Sequence, residues 1–291
     1  MQQLINNKYE INEVLGNGKF GIVYKGINIH NKDIVAIKTE KETQYKTLKH
    51  ESTILNYLFH NKCKKIPTIY WFGLYSDNIH NINLTCLVIT FYSSSLQQYI
   101  LQKGTMDIHK LASVMIKCID ILEHVHKYFV IHRDIKPENL MVKNGDIFLV
   151  DFGLATFYIN EIGVHNSKEL QENITGTPKY VSYFNHDGEP ISRRDDLISL
   201  GYLYLYLHYG KLSWENPVII ETKNTEYPEI SIFHPKNQYR KSCKSWENLY
   251  NAMSAMNEIN ELIHIHTYLK YCYEIKYEEN PNYYLMKKLF L

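Results

Sequence analysis

The chain has 291 residues, which is long enough for one large domain or two lobes around a sizeable core. Its formal net charge is +1, so no field of the whole protein attracts nucleic acid or an anionic membrane. The five cysteines are scattered without a CxxC pair, which argues against a disulfide framework or a zinc site. They indicate reduced thiols in an intracellular protein, which we expect in the cytoplasm, with the nucleus as a further location.

Two features argue against a secreted or membrane-bound protein. The first residues lack the basic and apolar regions of a signal peptide, and Gln2 excludes the myristoylation signal. The most apolar late run, residues 197–209, is too short and too polar to span a bilayer. We therefore expect neither a membrane nor a nucleic acid as a partner.

Residues 9 to about 92 are predicted to form a small lobe that is rich in strands. Apolar and polar residues alternate over residues 9–14, 21–26, 34–38 and 84–90, which is the period of half-buried strands. Residues 45–59 instead have apolar side chains at helical spacing, with Glu51 among them. The polar stretch 75–83 predicts a loop between two strands.

After residue 95 the pattern becomes helical. Residues 111–127 place their apolar side chains on one helix face, and residues 197–207 are almost wholly apolar or aromatic, as in a helix buried on all sides. We predict a hinge near residues 90–95 and a larger, mainly helical lobe over about 93–291. The predicted fold class is α+β, with an antiparallel sheet in the small lobe.

A glycine-rich motif lies between the first two predicted strands. Gly16, Gly18, Gly21 and Val23 fit the pattern GxGxxGxV, in which the backbone can lie close over phosphates because no Cβ intervenes. Taken alone this is a weak signal, since a glycine-rich hairpin is often a plain structural turn. A strand rather than a helix follows the motif, so it does not match the dinucleotide-binding fingerprint.

A lysine ends the next predicted strand, and a glutamate follows inside the predicted helix. Lys38 closes the run Val-Ala-Ile-Lys, and either residue alone would be an ordinary solvated charge. As an ion pair, Glu51 can direct the ammonium of Lys38 onto the α- and β-phosphates of a nucleotide. Together with the glycine motif, the pair favours a nucleotide site.

The strongest motif runs from His132 to Asn139 and is followed by Asp-Phe-Gly at residues 151–153. Asp134 can orient a substrate hydroxyl or accept its proton, and Lys136 can offset the negative charge of the transferred phosphate. Asn139 and Asp151 offer hard oxygen ligands for Mg²⁺. A salt bridge and two unrelated turns are the structural alternative, and the order and spacing of the motifs argue against it. The sequence thus predicts phosphoryl transfer with ATP and Mg²⁺.

These motifs resemble the eukaryotic protein kinase superfamily, and Lys136 resembles the serine/threonine enzymes rather than the tyrosine kinases. Residues 174–182 and 192–202 are similar to the casein kinase 1 family, which also departs from the Ala-Pro-Glu motif of most kinases. The resemblance covers nearly the whole chain, about residues 9–290. It implies the bilobal protein kinase fold, protein substrates, and transfer of the γ-phosphate of ATP to serine or threonine hydroxyls. The sequence does not reveal the oligomeric state, for which we expect a monomer.

The resemblance also implies roles for individual residues. Thr177 is expected to bond near Asp134 as part of the catalytic group, and Asp196 either holds the backbone of the catalytic loop or caps a helix. Ile89 is the expected gatekeeper, with the hinge over residues 90–92. The nucleotide-binding set is Leu15, Gly16, Gly18, Gly21, Val23, Ala36, Lys38, Glu51, Ile89 and Tyr92.

For the substrate, the resemblance implies a preference for sites near acidic or already phosphorylated residues. Lys179, Arg193 and Arg194 fall in the matching segments and are expected to form an anion pocket. The region 215–246 departs from the family pattern. Five basic residues in or near it either extend the pocket or form a solvated face: Lys223, Lys236, Arg240, Lys241 and Lys244.

The alternative from another class is a pseudokinase scaffold, which would bind nucleotide or partner proteins without turnover. Such proteins usually lack one of Lys38, Asp134, Asn139 or Asp151, and all four are present here. A small-molecule kinase of the same fold is disfavoured because residues 176–180 resemble the peptide-docking loop of protein kinases.

Overall fold

A computed structural model describes residues 4–18, 21–41, 46–77, 82–216, 227–255 and 262–291. Lys223, one of the basic residues named above, lies outside these ranges, and so do Lys19 and Phe20 within the glycine motif. The chain divides into two compact units. The first comprises Met1–Ser94 and Met141–Leu154, and the second comprises Ser95–Leu140 and Ala155–Leu291.

The segment Met141–Leu154 thus belongs to the first unit, whereas the sequence pattern placed residues 93–291 together. Contacts with earlier residues of that unit hold it there. The N–H of Leu149 donates to the carbonyl oxygen of Lys65 at 2.9 Å, and the Lys65 ammonium lies 2.6 Å from an oxygen of Asp146. The rings of Tyr92 and Phe148 pack with centroids 4.9 Å apart. These contacts join residues that lie far apart in the sequence, so the periodicity of the sequence alone does not reveal them.

The first unit is built on an antiparallel five-stranded sheet in the order β1-β2-β3-β5-β4. Helix α1 packs against β3, β4 and β5. The bounds are β1 (Tyr9–Gly18), β2 (Gly21–Asn28), β3 (Ile34–Lys41), α1 (Thr47–His60), β4 (Ile69–Asp77) and β5 (Ile82–Thr90).

The two faces of β3 differ because side chains alternate along a strand. Val35 and Ile37 are buried in one hydrophobic cluster. Ala36 belongs to a second cluster, in which its neighbours include residues of β5 and Leu48 of α1. Lys38 shares the face of Ala36, so the strand presents its lysine on the side covered by the helix.

The predicted loop over residues 75–83 is wrong at both ends. Strand β4 continues to Asp77 and β5 begins at Ile82, with Ser76 opposite Asn83. The Ser76 hydroxyl donates to the side-chain oxygen of Asn83 at 2.9 Å. Pairing with a neighbouring strand therefore overrides the polar composition, as expected for a propensity that depends on context.

The remaining elements follow in chain order. They are β6 (Ser94–Ser95), α2 (Leu96–Lys103), α3 (Ile108–Lys127), β7 (Val130–Ile131), β8 (Leu140–Lys143), β9 (Asp146–Leu149), β10 (Thr156–Phe157), α4 (Tyr183–His186), α5 (Arg193–Tyr209), α6 (Pro235–Cys243), α7 (Trp246–Ser254), α8 (Ile263–Glu274) and α9 (Tyr283–Lys288). Short 3₁₀ helices occupy Pro137–Asn139 and Phe152–Leu154.

Helix α5 is the centre of the second unit, and α3 and α8 both pack against it. Every residue from Arg193 to Leu207 is buried, which confirms the prediction of a helix enclosed on all sides. The helix begins four residues before the apolar run, since Ser192 and Asp195 form a capping box. Gly210 ends it in the left-handed conformation, with φ of +75°.

Among the helices of the described ranges, none combines the length and the apolar character needed to cross a lipid bilayer.

Candidate active site

The first unit assembles an ion-pair cluster around Lys38 of β3. Its ammonium lies 2.7 Å and 2.9 Å from the two carboxylate oxygens of Glu51 in α1, and 2.9 Å from Oδ1 of Asp151. Glu51 is only 1% exposed and also accepts the backbone N–H of Phe152 at 3.2 Å. The predicted pairing of Lys38 with Glu51 is thus present, and Asp151 joins it.

Burial and charge act in opposite directions on this cluster. Burial raises the pKa of Glu51, although the nearby Lys38 ammonium opposes that shift. Burial alone would lower the pKa of Lys38, but the charges of Asp151 and Glu51 outweigh it and raise that pKa. The lysine is therefore held as a cation, which is the form that can neutralise phosphate oxygens.

Asp151 has an unusual backbone conformation, with φ of +67°. Such a left-handed conformation is uncommon for a residue with a Cβ and is found where the surroundings impose it. The Lys38 ammonium holds one carboxylate oxygen of Asp151, while the side chain keeps 46% of its surface exposed. An exposed carboxylate of this kind can serve as a hard oxygen ligand.

The glycine motif forms the end of the β1–β2 hairpin, where Gly18 pairs with Gly21. Gly21 must be glycine, because a Cβ there would lie 1.8 Å from the carbonyl oxygen of Thr39. Gly16 and Gly18 are different, since a Cβ at either would meet no atom of the described residues closer than 3.9 Å. Packing among the described residues therefore explains why Gly21 is glycine, and it does not explain Gly16 or Gly18.

The expected adenine-contacting residues also belong to the first unit. Ile89 of β5 lies opposite Ala36 of β3, and both are buried. Tyr92 is buried against Phe148, whereas Leu15 is exposed on β1. Their use by a nucleotide stays a prediction.

The second unit assembles the catalytic string around Asp134. One carboxylate oxygen accepts the backbone N–H of Thr177 at 3.0 Å and its hydroxyl at 2.7 Å. The other lies 2.6 Å from the Lys136 ammonium, which also donates to the Thr177 hydroxyl oxygen at 3.1 Å. The predicted bond between Thr177 and Asp134 is confirmed.

Asn139 completes this group from the 3₁₀ helix Pro137–Asn139. Its amide nitrogen donates to the backbone carbonyl oxygen of Asp134 at 2.9 Å and to a carboxylate oxygen of Asp134 at 3.2 Å. Because the nitrogen is engaged in this way, the oxygen is the atom of the amide that can hold a cation. Asn139 and Asp151 therefore both suit Mg²⁺, which typically uses few protein ligands together with substrate phosphates.

Asp196 of α5 fixes the backbone next to Asp134. Its two carboxylate oxygens accept the N–H groups of His132 at 2.7 Å and Arg133 at 2.8 Å, and His126 approaches at 3.0 Å. Burial would raise the pKa of Asp196, but its interactions with His126 and His132 lower it. Asp196 therefore holds the backbone of the catalytic loop and does not cap the helix, because Ser192 is the helix cap.

The expected anion pocket is not available on the arginines. Arg193 stacks on the ring of Tyr158 and donates to the backbone oxygen of Glu278 at 2.7 Å. Arg194 bonds Glu189 and lies over the ring of Phe184. Both guanidinium groups are buried among these partners, so the prediction that they receive a substrate anion is wrong for this structure.

The later basic residues within the described ranges also have protein partners. Lys236 pairs with Glu229, Lys241 pairs with Asp187, and Arg240 donates to Asn237. These contacts favour the solvated-face interpretation over an extended pocket.

Lys244 is wholly buried, which the sequence did not suggest. Its ammonium donates to the carbonyl oxygens of Pro178 at 2.9 Å and Val181 at 2.7 Å, and lies 3.2 Å from Nε2 of His186. Burial and the nearby Arg240 lower the pKa of Lys244. Its acceptors lie about sixty residues earlier in the chain, on the turn that follows Thr177.

A family model for the protein kinase domain matches residues 9–274. The chain belongs to the protein kinase family. This membership accounts for both clusters, since protein kinases use a strand lysine, a helix glutamate, a catalytic aspartate and two metal-binding side chains. It also supports the use of ATP with a divalent metal ion.

Proposed function

We propose that this kinase is a serine/threonine kinase of the casein kinase 1 type, which transfers the γ-phosphate of ATP to protein hydroxyls. The hydrogen-bonded group of Asp134, Lys136, Asn139 and Thr177 carries the proposal. It joins a buried carboxylate to a cation and to an oriented amide within one unit. A scaffold without turnover has no need to keep all of these groups in place.

Each residue has a role in the proposed transfer. Asp134 orients the acceptor hydroxyl and takes its proton as the hydroxyl oxygen bonds to the γ-phosphorus and the bond to the ADP oxygen breaks. Lys136 offsets the charge that develops on the transferred group. Thr177 holds Asp134 through two hydrogen bonds and so limits the positions that its carboxylate can take.

The nucleotide is assigned to the groups of the first unit. Lys38, held by Glu51, contacts the α- and β-phosphates, and the backbone at Gly16 and Gly18 approaches them closely. The open space around these two glycines among the described residues supports this assignment, because packing against those residues does not require glycine at either position. Mg²⁺ is the proposed metal ion, for which Asn139 and Asp151 each offer an oxygen ligand, and it would neutralise the phosphate oxygens.

The serine/threonine assignment rests on Lys136, and the casein kinase 1 assignment on residues 174–182 and 192–202. We further propose that the enzyme acts inside the cell. This fits the supply of ATP there and the five cysteines, all of which are free thiols in the structure.

The test is transfer of radiolabelled phosphate from ATP to casein, with Asp134→Asn as the control variant. Labelled phosphoserine or phosphothreonine with the unmodified protein, and none with the variant, is the expected result. Nucleotide binding, measured on both the unmodified protein and the variant, distinguishes an active kinase from a pseudokinase scaffold. Intact binding without labelling of any protein substrate would instead identify a pseudokinase scaffold.

A further inference from the structure

Lys179 is the one member of the expected anion pocket that lies beside the catalytic group. It follows Thr177 by two residues, and Thr177 bonds directly to Asp134. A free ammonium at this place would attract an acidic or phosphorylated residue near the target hydroxyl of a bound peptide, because charge-assisted hydrogen bonds are strong. The surroundings of this ammonium therefore bear on the choice of substrate.

Glu215 already neutralises Lys179 in the protein itself. One carboxylate oxygen of Glu215 lies 2.6 Å from the ammonium, and the other accepts the backbone N–H of Leu212 at 3.3 Å. The ammonium also lies 3.8 Å from the centroid of the Tyr206 ring. With only 18% of the Lys179 side chain exposed, little of its charge remains for an incoming anion.

A second contact fixes the same two segments together. The indole N–H of Trp214 donates to the backbone oxygen of Lys179 at 2.8 Å, and Trp214 is buried. The turn from Leu212 to Glu215 thus binds both the main chain of Lys179, through Trp214, and its ammonium, through Glu215. This double attachment keeps the carboxylate of Glu215 at the ammonium rather than in solvent.

We propose that Glu215 is a specificity-determining residue, which removes the preference for acidic or phosphorylated substrates that an unpaired Lys179 would confer. The inference rests on the proposed function, because it concerns the choice of protein substrate. A phosphoserine side chain carries close to two negative charges, so it must approach Lys179 against the repulsion of Glu215. The kinase accordingly selects its sites by features other than a neighbouring anion.

The test compares peptides that carry one phosphoserine, placed at successive positions before or after the target serine, with the same peptide lacking it. For wild type, kcat/KM for each phosphorylated peptide should lie within about threefold of the plain peptide, since the Lys179 ammonium is already paired with Glu215. Glu215→Gln should raise the ratio of phosphorylated to plain peptide about tenfold for at least one position, mainly through KM. Adding Lys179→Met should remove that gain.

Glu229→Gln is the matched control, because Glu229 is an exposed carboxylate paired with Lys236. It should leave the ratio unchanged. Strong preference of the wild type for a phosphorylated peptide, or an unchanged ratio in Glu215→Gln, would overturn the proposal. Binding of the same peptides, followed by fluorescence anisotropy without ATP, decides it even when no phosphate is transferred. Failure to label any peptide counts against the proposed function alone.

Discussion

Replacement of Lys244 by methionine removes a buried ammonium while keeping a side chain of similar length. The change takes away the donors to the carbonyl oxygens of Pro178 and Val181, which are 2.9 Å and 2.7 Å from the ammonium. These two carbonyls lie on either side of the turn that holds Lys179 and follows Thr177. The substitution therefore acts on the segment that supports Asp134 without touching Asp134 itself.

The expected loss of stability is modest because two effects oppose each other. The Val181 carbonyl loses the ammonium donor, and a carbonyl left buried without a donor costs about 1–3 kcal/mol. The Pro178 carbonyl oxygen keeps Nε2 of His186 at 3.2 Å as a second partner. The methionine offsets part of this cost, since an ammonium no longer has to be taken out of water. We expect a net loss of about 2 kcal/mol in the free energy of unfolding, which corresponds to a fall of about 4–8 °C in Tm.

The turn that follows Thr177 should also bind a peptide substrate less well when Lys244 no longer holds it. We expect KM for a peptide substrate to rise about fivefold or more, because the Lys244 ammonium bonds the turn and His186. KM for ATP should stay unchanged, because the nucleotide is assigned to residues of the first unit and Lys244 belongs to the second. Steady-state kinetics with each substrate varied separately, together with a thermal unfolding curve, measure both effects. A variant that is merely less stable would lower the active fraction and leave both KM values alone.

Lys241→Met is the matched control three residues earlier, in helix α6, which Lys244 caps. Its partner Asp187 lies at the protein surface, and such exposed pairs contribute about 0–1 kcal/mol. An unchanged Tm and an unchanged peptide KM in Lys244→Met would refute the idea that this ammonium holds the turn.

Three further predictions concern the same region. Thr177→Val should lower kcat about 10- to 100-fold by removing the hydroxyl bond to Asp134, with recovery in Thr177→Ser; equal activity of both variants would contradict this. Gly176→Ala should lower Tm by several degrees, because its φ is +102° and a Cβ would lie 2.4 Å from the carbonyl oxygen of Arg133; an unchanged unfolding curve would contradict this. The pKa of Lys244 is lower in the folded protein than its ordinary 10.5, so the unfolded chain binds more protons between those two pKa values. Stability should therefore rise with pH across that window and fall on acidification, and urea unfolding should show a flatter pH dependence in Lys244→Met.

The sequence predicted the parts of the site that depend on short-range pattern. Alternation along β3 places Ala36 and Lys38 on one face, and helical spacing places Glu51 on the covering helix, so their meeting follows from period and order alone. The residues from His132 to Asn139 are likewise close together in the sequence, so their relative placement could be predicted from the motif itself. These features lie within single elements or neighbouring ones.

The sequence did not predict the partners of the later basic residues. Arg193 and Arg194 resemble surface charges in the sequence. The capping box of Ser192 and Asp195, seen in the structure, places them in the first turn of α5. Nothing in the sequence indicated that Lys244 is buried, because its hydrogen-bond acceptors are backbone carbonyls, which every residue has. The sequence did not indicate the pairing of Glu215 with Lys179 either. That pairing depends on the direction of the turn from Leu212 to Glu215, which tertiary packing sets.

The attachment of Asp196 to the backbone at His132 and Arg133 has a consequence for synthesis of the chain. The acceptor lies more than sixty residues after the N–H groups that it holds. A nascent chain that ends before Arg193 therefore contains the complete motif from His132 to Asn139 but lacks the carboxylate that fixes it. The enzyme can acquire its catalytic geometry only after α5 has left the ribosome and folded, so fragments released earlier should be inactive despite carrying every catalytic side chain up to that point.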